Sequence, residues 1–150
     1  MAKDIADAVA RLLDKDNKAA YAALRELQAE SESGDGAYIY IDSFIDMLEH
    51  KNAYIRIRGL VLTAYNARWD TEYKIDEIID RYLRHITDPK PIAARQCIRA
   101  LPLLAASKPE LKPDIIRALE RADISIYAES MQPLVGKDIQ KALGEIKNNL

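Results

Sequence analysis

The sequence predicts an all-α fold, a solenoid of helix pairs, on three observations. Apolar residues recur at spacings of three and four along nearly the whole chain. Ala and Leu exceed Val, Thr and Gly, a composition that leans toward helix. The helical pattern also returns at an interval of about 36 residues, the mark of repeated supersecondary units that stack to bury a continuous core.

Taken in order, Asp4 to Leu13 places Ile5, Ala8, Val9, Leu12 and Leu13 on one face, an amphipathic helix of about three turns. A second helix runs from Lys18 to about Glu32 and ends in SESGDG, where Gly34 and Gly36 break the pattern. The YIYI run that follows has strand propensity. Tyr40, Ile41, Phe44, Ile45 and Leu48 nevertheless keep helical spacing, so Ala37 to Glu49 is assigned to a helix. Asn52 to Trp69 forms the central helix, apolar on most sides, with three arginines and no acid.

Asp70 or Thr71 is the expected cap of the next helix, whose stripe is Ile75, Ile78, Ile79, Tyr82, Leu83 and Ile86, and which stops before Pro89. Pro89 and Pro91 suit the first turn of the helix carrying Ala94, Cys97, Ile98, Leu101, Leu104 and Ala105 inward, with a bend at Pro102. A Pro-punctuated link, Ser107 to Pro113, leads to a seventh helix closed by Asp123. The last helical stretch, Ile126 to about Lys147, is expected to split at Pro133 and Gly136.

A chain of 150 residues fits a single domain, 1–150, able to bury a substantial core without metals or disulfides. Its net charge of −2 argues against wholesale adhesion to nucleic acid or membrane, although local patches can differ. The lone cysteine, Cys97, forms no internal disulfide and suits a reducing compartment, so a cytoplasmic protein is expected. MAKDIADAVARLLDKD has no uninterrupted apolar stretch and does not read as a signal peptide. No apolar run approaches the length of a membrane span, so a soluble protein is expected.

The stretch around LLDKDNKAAY recurs around MLEHKNAYIR, and IRIRGLVLTA from Ile55 overlies IAARQCIRAL from Ile92; a weaker fourth copy, ALERADISIYAESM, starts at Ala118. In the central copies a turn residue is followed by an apolar residue and Arg: Asn52 with Ile57 and Arg58, and Asp88 with Ala94 and Arg95. Asp16 and Asp123 hold the turn in the outer copies, but Ala22 and Glu129 stand at the Arg position, as suits capping repeats. In these features the chain resembles HEAT-like (armadillo-type) repeat proteins, including short bacterial ones. The resemblance implies a right-handed α-α superhelix of about four pairs, approximately 3–33, 37–69, 71–107 and 109–149. It also implies a binding scaffold rather than an enzyme, with second helices lining a concave face.

The two central second helices hold Lys51, Arg56, Arg58, Arg68, Lys90, Arg95, Arg99 and Lys108 and no Asp or Glu, whereas their partner helices hold the acids. Arg58 and Arg95 are assigned to the scaffold, bonding turn carbonyls and the turn residues Asn52 and Asp88, since buried charges persist only when paired. Arg56 and Asn66 fall in the polar sector of the helical wheel, with Gln96 and Arg99 near its equivalent one repeat later. Together with Arg68 these are the candidate contact residues.

No catalytic constellation, metal site or cofactor is expected. His50 and His85 lack partners at ligand spacing, Cys97 lies among apolar neighbours, and SGDG lacks the lysine of a phosphate loop. Trp69 reads as a packing anchor. The expected function is an interaction module binding an acidic protein or peptide on a basic face. Nucleic-acid binding, by analogy with HEAT-like DNA-repair glycosylases, is the alternative. A monomer or weak homodimer through Tyr38 and Tyr40 completes the expectations.

Overall fold

The computed structural model describes residues 2–148; Met1, Asn149 and Leu150, which the expected domain and last helix pair include, lie outside the described residues. Among the described residues the chain is all-helical, with eight α-helices, short 3₁₀ turns and no strand. None of these helices is long and apolar enough to cross a membrane. The described chain falls into two compact units, one up to Glu72 and one from Tyr73 onward.

In the first unit, α1 (Ala2–Arg11) pairs with α2 (Asn17–Ser33), and α3 (Ile41–Met47) pairs with α4 (Ala53–Asn66). The YIYI run begins as a 3₁₀ turn, Tyr38–Tyr40, and becomes helix at Ile41, because Ile41, Phe44, Ile45 and Leu48 all gain burial on one side. Helix α4 packs against both α2 and α3, which explains why it lacks a polar face. A Cβ at Gly59 would stand 2.7 Å from both Met47 Cβ and the Phe44 carbonyl oxygen, so glycine lets the α3 and α4 backbones meet. Arg58 bonds near the start of α2, while Asn66 and Trp69 bond Ser31 near its end. The two helices therefore lie side by side in the same direction.

The second unit contains α5 (Lys74–Leu83), prolonged by a 3₁₀ turn at Arg84–Thr87, then α6 (Pro91–Ser107), α7 (Lys112–Arg121) and α8 (Gln132–Asn148). Neither Asp70 nor Thr71 caps α5. Tyr73 occupies the cap position with a left-handed backbone, φ 58°, and no side-chain cap bond. The buried Lys108 ammonium lies 5.0 Å from the Tyr73 ring centroid and bonds Asp76 at 2.6 Å, which clamps this turn. Helix α8 is not split: Pro133 is its second residue, where no intrahelical partner for an N–H exists, and Gly136 continues it. Pro102 lies inside α6. Arg95 and Arg99 meet Asp138 early in α8, and Pro102 shares a cleft with Ala142 and Glu145 further along, so α6 and α8 also run in the same direction.

One local device recurs in every pair. The side-chain oxygens of Asp16, Asn52, Asp88 and Asp123 each accept the backbone N–H two residues on, at 3.0, 2.9, 2.9 and 3.0 Å. Short Asn and Asp side chains bond their own backbone in this way; Asp16 and Asn52 thereby cap α2 and α4, Asp88 shapes the turn two residues ahead of the α6 cap, and Asp123 caps the 3₁₀ turn Ile124–Ile126.

Candidate functional site

The first-unit candidates divide sharply by burial. Arg56, expected in the polar sector, is instead buried, and its Nη1 donates to the carbonyls of His50 at 2.9 Å and Lys51 at 3.1 Å in the turn before α4. Asn66 is fully buried, with Nδ2 donating to Ser31 Oγ at 3.0 Å and to the Leu62 carbonyl at 2.9 Å. The wheel's polar sector thus faces protein rather than water, because α4 has neighbours on two sides. Thr63 Oγ1 and Asn66 Oδ1 find no hydrogen-bond partner there among the described residues. Arg68, at the end of the helix, is exposed.

Arg58 is 5% exposed and ties two helix pairs together. Its Nη1 donates to the Leu12 carbonyl at 2.8 Å and its Nη2 to Asn17 Oδ1 at 3.1 Å. The partner is the turn of the preceding pair rather than Asn52, which is occupied in capping α4. Burial lowers the pKa of the guanidinium below its usual range. Trp69 is half-buried, with Nε1 donating to the Ser31 carbonyl at 2.7 Å. Nearby, Tyr38 donates to Asp70 Oδ1 at 2.5 Å; burial, and then this bond, push the phenol pKa well up.

In the second unit, Arg95 departs from its expected partner. Its Nε donates to Asp138 Oδ2 at 2.7 Å, and Arg99 Nη2 lies 3.7 Å from the other oxygen of that carboxylate. Asp88 instead meets His85 Nδ1 at 2.7 Å and accepts from the Lys90 backbone N–H at 2.9 Å, while its carbonyl accepts from Tyr127 at 2.5 Å. Tyr127 therefore does with a phenol what Arg58 does with a guanidinium, reaching back to the turn of the preceding pair. Burial, followed by the Asp88 charge and Cys97, pushes the Tyr127 pKa up to about 12. Cys97 is buried beneath this turn, its thiol raised by burial and then by Asp88, with Sγ 3.7 Å from the Tyr82 carbonyl. A thiol held in that form is a core group rather than a nucleophile.

Gln96 and Arg99 come together in one place. With Lys90, Pro91, Ile92, Arg95 and Met131 they line a groove of about 290 Å³ along the first half of α6. Lys90 and Arg99 are exposed, and Ile92 is 44% exposed. The groove lining contains no carboxylate; Asp138 beside it is largely covered and engaged by Arg95, and buried Asp88 is engaged by the Lys90 backbone N–H and by His85. The lining itself thus carries three cations and no acid beside an apolar floor of Pro91, Ile92 and Met131. Such a groove can accept an acidic side chain next to an apolar one.

Sequence reasoning missed Ile92, Met131 and Asp138. The spacing of Ile92, Gln96 and Arg99 already placed them on one helical face, but Asp138 enters only through the packing of α8 on α6, and Met131 through the turn that leads into α8. Among the described residues there is no group of three His, Cys, Asp or Glu that could hold a metal. Comparison with protein-family models, curated proteins and solved structures finds no match to this chain.

Proposed function

We propose that this chain is a non-enzymatic interaction module, a HEAT-like α-solenoid of four helix pairs that binds an acidic segment of a partner protein. The observation that carries this reading is the α6 groove, where Lys90, Arg95 and Arg99 surround Ile92 and Met131 with no acid in the lining. The repeated Asx turns, and second helices running in parallel within each unit, support the repeat architecture. A cationic groove with an apolar floor favours a peptide in which carboxylates flank one apolar residue: the charge steers the encounter and the floor anchors the complex.

The test is fluorescence anisotropy of the full chain with a labelled peptide bearing one leucine between glutamates. The expected result is binding that weakens as salt rises and falls about tenfold or more in Arg99→Glu. Equal affinity for a lysine-flanked peptide, or no effect of Arg99→Glu, would contradict the reading. Tighter binding of a single-stranded oligonucleotide than of the peptide would replace a protein partner with nucleic acid.

A further inference from the structure

Helix α4 buries polar side chains, Arg56, Arg58, Thr63 and Asn66, together with Ile55, Leu60 and Leu62, yet the large side chains that retain solvent, Tyr54, Ile57, Val61 and Tyr65, are apolar or aromatic. These four stand at i, i+3, i+7 and i+11, one continuous stripe along the helix. A helix of a soluble unit ordinarily turns such residues inward and places its arginines and amides toward water. The stripe is bounded by exposed cations, Lys51 before α4 and Arg68 after it, and α4 itself contains no acid.

We infer that this face of the first unit is a docking surface for an amphipathic helix of a partner protein, with apolar residues along its length and carboxylates at both ends. Two observations choose this occupant. The stripe from Tyr54 to Tyr65 is about 16 Å long, which matches about three turns of helix with apolar side chains at spacings of three and four. Along the α4 stripe itself the flanking exposed cations are Lys51 and Arg68, three residues before Tyr54 and three after Tyr65, so complementary charge belongs at the ends of the guest. Tyrosines at both ends of an aliphatic stripe supply the large, partly polar side chains that anchor such contacts. The inference is independent of the α6 groove, because every residue it uses lies in the first unit.

The experiment titrates the full chain with a stapled fifteen-residue helical peptide carrying leucines at that spacing and glutamates at both ends. A lysine-ended version and a scrambled version serve as controls. Tighter binding of the glutamate-ended helix than of either control, reduced about tenfold or more by Val61→Glu and by Tyr54→Glu but unchanged in Arg99→Glu, is the predicted result. Tyr54 is half exposed, so Tyr54→Glu keeps the test decisive if Val61→Glu disturbs the fold, which circular dichroism of each variant reports. Indifference to the Tyr54 variant, or equal binding of the scrambled peptide, would overturn the inference. Concentration-dependent self-association that Tyr54→Glu abolishes would overturn it in favour of a second copy of the chain.

Discussion

Replacing Arg58 by methionine isolates the bond network that joins the two helix pairs of the first unit. Methionine keeps an unbranched apolar stem in the space of the arginine side chain and removes the guanidinium, so the change reads hydrogen bonding more than packing. The Leu12 carbonyl loses its 2.8 Å charged donor, and Leu12 is fully buried, so water does not simply replace it. A hydrogen bond to a charged group contributes about 1.5–3 kcal/mol, and an acceptor left buried carries its full desolvation cost. Asn17 is exposed and can rehydrate, so its bond adds only about 0.5 kcal/mol or less. The sum is about 2–3 kcal/mol, a large share of the roughly 5–15 kcal/mol that stabilises a typical protein.

In thermal terms that loss corresponds to a fall of about 4–12 °C for a chain of this size. Urea unfolding followed by circular dichroism measures it, and hydrogen exchange should locate the loosening in α1, α2 and α4. Arg58→Lys should recover about half, since an ammonium keeps charge and one donor but not the fork. Arg58→Met within about 0.5 kcal/mol of the parent, or Asn17→Ala costing as much as Arg58→Met, would refute this account of the junction.

Three further outcomes follow from single contacts. Gly59→Ala gains about 1 kcal/mol of helix propensity but drives a methyl into the Phe44 carbonyl and Met47, so urea titration should show a net loss of about 1–2 kcal/mol; a stabilised variant would contradict the close approach. Tyr127 keeps its proton more tightly in the folded chain, so its stabilisation is complete below about pH 10 and is lost as pH rises through about 12. That loss amounts to about 1–3 kcal/mol, and Tyr127→Phe should flatten the alkaline limb of a stability–pH curve; an unchanged limb would contradict it. Asp138→Asn releases Arg95 and Arg99, so calorimetric titration should show a glutamate-flanked peptide binding about two- to fivefold more tightly at low salt, with the advantage fading as salt is raised; weaker binding would mean that Asp138 is needed to orient the arginines.

Much of the helical layout was legible because burial follows spacing: the inward residues of α2, α5 and α6 lie on the stripes that periodicity marks. The turns were legible through Asp16, Asn52, Asp88 and Asp123, whose side-chain chemistry is local. What could not be read was decided by packing between elements. The wheel assigned Arg56 and Asn66 to water because they are polar, whereas α4 is covered on two sides, and carbonyls and Ser31 accept from the Arg56 guanidinium and the Asn66 amide nitrogen. The near absence of a polar face in α4 was the available signal. Arg58 and Arg95 share a register but bond different partners, Leu12 and Asn17 in one unit and Asp138 in the other, because the neighbouring helices differ. The left-handed Tyr73 carries no composition signal at all, since that backbone ordinarily selects glycine or asparagine.

The central claim is that the α6 groove receives an acidic segment. Amide chemical-shift mapping of the full chain during titration with a glutamate-flanked leucine peptide tests it most directly. Shifts that saturate at Lys90, Ile92, Gln96, Arg99 and Met131, and vanish in the Lys90→Glu, Arg99→Glu double variant, are the predicted result. Shifts that avoid these residues, or that persist unchanged in the double variant, would contradict it.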